Sequence, residues 1–238
     1  MVIGVVGGMG SYATLHFFKR YLEVFQAEKE WDRPRIIIDN RCTMPSRVRA
    51  VLYNEKYDDV VSELSDSIKR LMEAGCNRIV LACNTSHIFL EDVFVRLPDA
   101  KEIVLNIIDE CARMIRQCEK LKRKTISLIA TEGTIDSGIY QEVFAKYGLW
   151  VNTPSKSEYA QMREFIEVVK QDKIDEDCKG RFYKFIQSLE GDCIILGCTE
   201  FPVLYDEIKH ELPSELKVID PLEIILARLH REFIKEGN

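Results

Sequence analysis

The chain has 238 residues, 46% hydrophobic and 30% charged, with a formal net charge of −6. That is enough chain for one large domain or two small ones with adequate cores, and the acidic balance argues against a nucleic-acid binder, which ordinarily shows a basic face. No apolar run approaches the ~18 residues that span a membrane, and the opening MVIGVVGGMG is too short and glycine-rich for a signal segment, so the expected location is the cytoplasm.

In chain order, residues 2–6 read as a first strand, followed by the glycines of GGMG and a helix over residues 11–28. RIIIDN, residues 35–40, is a second strand. Residues 56–74 have helical spacing, with Val60, Leu64, Ile68, Leu71 and Met72 on one face and Gly75 as the stop. Residues 79–82 and 102–107 are the third and fourth strands. The pattern then restarts with a strand at 125–130, TEGT, a helix at 137–147 and a short strand near 149–152. Helical zones at 159–170 and 177–189 lead to strands at 193–196 and 217–219, and a helix at 221–235 closes the chain. Uninterrupted β-branched runs fit strands buried on both faces, as in parallel sheets.

The two halves match at three places. GGMG (7–10) aligns with TEGT (131–134), ACNT (82–85) with GCTE (197–200), and NIIDECARMI (106–115) with KVIDPLEIIL (217–226). Asp109 and Asp220 then occupy equivalent positions, where either can cap a helix. Strand–helix alternation in duplicate implies an α/β fold of two similar parallel-sheet domains related by a pseudo-two-fold axis, with right-handed crossovers. The expected division is residues 1–107 plus 221–238 against residues 108–220. With no linker rich in Pro, Gly or Ser between them, the domains pack closely and leave a cleft, the place for an active site. Ligands in such sheets gather at the carboxyl ends of strands.

Eight cysteines are present and no two form a CxxC pair, which excludes a zinc ribbon or thioredoxin-like motif; no metal site is expected. Cys83 and Cys198 differ from the other six because each follows an apolar strand in a repeated context, close to half the chain apart. Backbone N–H groups where a strand turns into a helix favour negative charge, so a thiol there is expected to have its pKa lowered from about 8.5. Two like acid/base groups facing one substrate from two halves suit inversion at a carbon without a cofactor: one removes a proton and the other delivers one to the opposite face. Asn84, Thr85 and Ser86 after the first cysteine, and Thr199 after the second, join the substrate-binding candidates as polar donors.

These residues carry a resemblance. IGVVGGMG with Ala13-Thr14, PSR at 45–47, ACNTSH at 82–87, ATEGT at 130–134 and LGCTEFP at 196–202 resemble the aspartate/glutamate racemase superfamily, which works without pyridoxal phosphate. GGMG and GCTE look like its aspartate racemase branch; glutamate racemases typically carry His where this chain has Glu200. The resemblance implies that Cys83 and Cys198 are the two acid/base residues, Cys198 serving the L- and Cys83 the D-enantiomer. It implies that Arg47, with Arg49 as rival, and Lys170, with Lys173 as rival, bind a side-chain carboxylate. Gln171-Asp172 replace the small residues usual after that lysine. Met9 and Thr131 are further expected to line the cleft, and His87 either tunes Cys83 or is structural. The expected protein is a cofactor-free racemase of an acidic amino acid, aspartate ahead of glutamate, acting as a homodimer on a small-molecule substrate, with neither nucleic acid nor membrane as partner.

Two other readings compete. Residues 8–13 fit G-x-G-x-x-A between a strand and a helix, and Asp39 ends the next strand, as in an NAD-dependent oxidoreductase. That reading leaves the duplicated cysteines without a role. A non-catalytic amino-acid-binding protein has no need of two opposed thiols.

Overall fold

The structure, a computed structural model, describes residues 1–121 and 124–237; residues 122, 123 and 238, which the expected domain spans include, lie outside it. The first sheet contains β1 (Val2–Gly7), β2 (Arg35–Asn40), β3 (Arg78–Leu81) and β4 (Val104–Leu105), in the order β2-β1-β3-β4. The second contains β5 (Ile126–Ile129), β6 (Val151–Asn152), β7 (Cys193–Leu196) and β8 (Lys217–Ile219), in the order β6-β5-β7-β8. Every pairing in both is parallel. The same order twice is the duplication read from the sequence, built as a two-domain α/β fold.

The helices of the first half are α1 (Ser11–Val24), α2 (Arg47–Tyr53), α3 (Tyr57–Glu73) and α4 (Leu90–Arg96). Next come α5 (Ile107–Gln117), α6 (Glu132–Asp136), α7 (Ile139–Lys146), α8 (Tyr159–Lys170), α9 (Glu176–Ser188), α10 (Phe201–Ile208) and α11 (Pro221–Lys235). Strand alternation directs the first sheet to two cores. Ile3, Val5 and Val80 face the core that continues into the second half, while Val6, Ile79 and Leu81 face α3 through Val60, Leu64 and Ile68. Helix α11 returns to pack on α1 and α5, and α1 meets α8 and α10 while α2 meets α6. Among the described residues, no helix is long and apolar enough to cross a membrane.

Several local expectations change. The first helix ends at Val24, four residues early, where Phe25 leaves helical geometry and donates its N–H to Tyr21 O. The PSR segment, read only as a motif, starts a helix: Ser46 Oγ caps α2 by accepting from Arg49 N, which sets Arg47 at the first helical position. After Cys83 the chain enters a 3-10 helix, Thr85–Phe89, before α4 begins. Asp109 is not a cap. Asn106 Oδ1 accepts from Ile108 N and Asp109 N and caps α5, whereas Asp220 caps α11 by accepting from Leu222 N. The equivalent helices therefore start three residues apart relative to the sequence repeat. Asparagine outcompetes the aspartate because it stands where the strand ends and helical geometry begins.

Candidate active site

The glycine turn after β1 is the first piece. Gly8 has φ +82°, and a Cβ there would stand 2.5 Å from the backbone of Arg41, so only glycine fits. Thr14 of α1 closes the turn: its Oγ1 accepts from Gly8 N at 2.9 Å and donates to Gly10 O at 2.9 Å. Gly10 N donates to Glu200 Oε1 at 3.1 Å, a link between the two halves. The loop amides of Gly8 and Gly10 thus have protein partners, and the Asp39 carboxylate is held by Arg41 Nε at 2.9 Å. None of these is set to hold a pyrophosphate or a ribose, which removes the basis of the dinucleotide reading.

The loops after β3 and β7 bring Cys83 and Cys198, both buried, to one small cavity of about 50 Å³. Met9, Arg47, Asn84, Thr85, Thr131, Lys170, Thr199 and Glu200 line it with them. Each half therefore contributes its cysteine to the same space. Ser86 does not line this cavity. It is fully buried, and its Oγ donates to Met9 Sδ at 3.0 Å, bracing the methionine from behind. Lys173 bonds Gln171 Oε1 outside the cavity, so Lys170 is the lysine at the site. Arg49 is paired with Glu55 and lines an adjoining, wider cleft of about 320 Å³ that shares Ser46, Val48, Thr131, Ile166 and Lys170 with the inner cavity.

Arg47 and Asn84 carry the unpaired donors. The Arg47 guanidinium donates to Met44 O (3.3 Å), Pro45 O (2.9 Å) and Met9 O (3.1 Å), which fixes its plane. Its Nε–H is buried without a partner. Asn84 Oδ1 accepts from the buried Tyr140 hydroxyl at 2.5 Å, leaving its Nδ2 buried and unpartnered as well. Unmade buried bonds cost free energy, so two such donors on residues that line one cavity suit an anionic ligand. Lys170 Nζ is 2.9 Å from Glu167 Oε1. Burial pushes its pKa down, but that bond and the charges of Glu200 and Glu167 outweigh it, so the ammonium stays charged.

The rest of the site holds these groups in register. Thr131 caps α6 by accepting from Thr134 N, and Thr85, Thr131 and Thr134 form a hydroxyl triangle across the seam with sides of 2.8–3.0 Å. His87 Nδ1 lies 3.0 Å from Cys83 O, and Ile107 N donates to its Nε2 at 3.4 Å. Burial pushes its pKa down to about 4, so it is neutral and acts on the Cys83 backbone rather than on the thiol.

The expected lowering of the thiol pKa is overturned at Cys198. Burial first, and the adjacent Glu200 second, push it well above the ordinary thiol value. Cys198 Sγ donates to Glu200 Oε2 at 3.0 Å. Desolvation with a neighbouring anion outweighs a short helix that starts only at Phe201. Glu200, Tyr140 and Thr134 belong to this site although sequence reasoning did not place them there. For Glu200 the signal was in view, since it fills the repeat position of Thr85 beside a cysteine. Tyr140 and Thr134 carried no such signal, because their role depends on contacts between the halves.

The Asp/Glu/Hydantoin racemase family signature matches residues 6–229, and the chain belongs to that family; it is an isomerase of the racemase class. It is 25% identical over 221 residues to the broad specificity amino-acid racemase RacX of Bacillus subtilis, covering 89% of this chain and 91% of that one. A glutamate racemase of Corynebacterium diphtheriae is 31% identical over 181 residues, covering 72% of this chain but 63% of that protein's length. Among solved structures, the aspartate racemase of Picrophilus torridus superposes with a TM-score of 0.79 at 27% identity, covering 98% of this chain and 94% of that one.

Proposed function

We propose that this protein interconverts the L- and D-enantiomers of an acidic amino acid, aspartate ahead of glutamate, using Cys83 and Cys198 as its two acid/base groups and no cofactor. The observation that carries this reading is the pair of buried cysteines, one from each half, lining one small cavity together with Arg47 and Asn84, each of which keeps an unpartnered donor. The similarity to an aspartate racemase over nearly the whole chain supports the substrate order.

In the reaction, one cysteine thiolate takes the α-proton: the Cα–H bond breaks, S–H forms, and the electron pair spreads into the α-carboxylate. The other cysteine's S–H then breaks as its proton reaches the opposite face of Cα. The α-carboxylate goes to Asn84 Nδ2, which has no protein partner, because fixed donors stabilise its developing charge most in a dry site. Arg47, with Lys170, takes the side-chain carboxylate, since a guanidinium offers a forked, planar contact that an ammonium does not. The inner cavity accommodates only a few waters, so substrate enters from the wider cleft as the two halves part, and their closure expels solvent.

The test is α-proton exchange in D₂O, without added cofactor, across a panel of L- and D-amino acids. Exchange with aspartate and glutamate from both enantiomers is expected, with racemisation lost in Cys83→Ser and in Cys198→Ser while circular dichroism stays unchanged. Full activity in either variant would refute the two-thiol mechanism. Arg47→Ala should weaken acidic substrates far more than neutral ones, and equal losses would reject the carboxylate assignment in favour of a broad specificity like that of the Bacillus subtilis relative.

A further inference from the structure

Glu200 makes the two thiols unequal. It stands two residues after Cys198, where the first half has Thr85 two residues after Cys83. It is 2% exposed. Its Oε2 accepts from the Cys198 thiol at 3.0 Å and from the Thr199 hydroxyl at 3.5 Å, and its Oε1 accepts from Gly10 N at 3.1 Å. The Thr199 hydroxyl is shared with Ala82 O, its nearer acceptor at 3.3 Å, while the thiol and the Gly10 N–H both donate, and the acceptor-only carboxylate is the form that satisfies those two together. Thr85 spends its hydroxyl on Thr131 and Thr134. Thr134 holds in TEGT the place of Gly10 in GGMG. Each half therefore sends the residue two after its cysteine onto the first turn of the other half. The first half sends a neutral hydroxyl; the second sends an anion that also reaches its own thiol.

We propose that Glu200 is a positioning residue and resident proton partner of Cys198, holding it as a thiol in the free protein so that substrate is met with the acid at Cys198 and the base at Cys83. This rests on the racemase reading above. The groups facing Cys198 are Glu200 beside it, Cys83 and Asn84 from the first half, Tyr140 from α7, and the cations Lys170 and Arg47 on the cavity wall. The cations and the Glu200 backbone N–H favour a thiolate; burial and the Glu200 carboxylate oppose it and prevail, in keeping with the raised pKa of Cys198. The cycle balances. When Cys198 donates, S–H breaks and Cα–H forms; after product leaves, the thiolate beside Glu200 takes a proton from solvent water and Cys83 gives the proton it took from Cα to solvent, so the cycle returns to its starting state.

Because enantiomers have equal free energies, kcat/KM must be the same in both directions whatever Glu200 does. Its bias can therefore show in turnover only as kcat and KM changing together, by one factor, for one enantiomer. The decisive measurement needs no turnover. Iodoacetamide alkylation of Cys198 and Cys83 is followed against pH by peptide mass spectrometry in the parent, Glu200→Gln and Glu200→Asp. Gln retains an acceptor for Gly10 N and loses the charge. The pH midpoint for Cys198 should fall by about one unit or more in Glu200→Gln, equivalent to about tenfold faster alkylation below the midpoint, with Cys83 unmoved. Glu200→Asp should keep the high midpoint. An unmoved Cys198 midpoint in folded Glu200→Gln, or equal shifts at both cysteines, would overturn the proposal. A protein that shows the shift but exchanges no acidic amino acid would retract the substrate assignment and leave the thiol–carboxylate pair standing.

Discussion

Replacing Tyr140 by Phe tests whether Asn84 is held for its task. Tyr140 is fully buried in α7, and its hydroxyl donates to Asn84 Oδ1 at 2.5 Å across the seam between the halves. The Phe ring can keep the same packing against Phe144, whose centroid lies 5.7 Å away, so the change removes one hydroxyl and little volume. It leaves Asn84 Oδ1 buried without its donor, at a cost of about 1–3 kcal/mol. For a chain of this size, each kcal/mol lowers Tm by roughly 2–4 °C, so a fall of about 2–12 °C is expected by calorimetry. The freed amide can also turn its Nδ2 away from the cavity, which should raise KM more than it lowers kcat. Asn84→Ala and the double variant complete a cycle, in which coupled partners show an interaction energy of about 0.5–3 kcal/mol. Strict additivity of the two single changes, in Tm and in KM alike, would refute the reasoning, because the hydroxyl would then be acting independently of Asn84.

Burial, assisted by the charge of Glu223, pushes the pKa of the Asp220 cap from 3.8 up to about 7. The folded protein then holds this proton more tightly than the unfolded chain, an advantage fully present below pH 3.8 and lost as pH rises through about 7. Asp220→Asn keeps an acceptor for Leu222 N and removes the ionisation, so in urea unfolding it should overtake the parent with rising pH, by up to about 4 kcal/mol at pH 8; parallel pH curves would reject this. His87 works in the opposite sense: its pKa falls from 6.5 to about 4, so its contribution is present above pH 6.5 and lost as pH drops toward 4, about 3 kcal/mol in all. Nitrogen-detected NMR should show its imidazole neutral at pH 6 with the proton on Nδ1, and a protonated ring there would contradict the burial argument.

Much of the architecture was legible in the chain because it is repetitive and local. Uninterrupted apolar runs, helical stripes such as Val60-Leu64-Ile68 and the punctuation of Gly75 mark elements through short-range physics. The two cysteine motifs stood out by the same repetition. What escaped was decided at short range by competition between neighbours, as where Asn106 takes the cap expected of Asp109, or where Ser46 starts a helix in a segment read only as a motif.

The sequence by itself determined the duplicated α/β plan and singled out Cys83 and Cys198 among eight cysteines, while family resemblance left Arg47 with Arg49, and Lys170 with Lys173, as rival cations. Tertiary structure alone decided which donors are left unpaired at Arg47 and Asn84, that Ser86 braces Met9 rather than lining the cavity, and that Cys198 is raised rather than lowered in pKa. The reason is physical. A strand or helix expresses the preferences of nearby residues, but the charge state of a thiol depends on desolvation and on the partners that face it, and those partners are assembled when two halves of the chain close on each other.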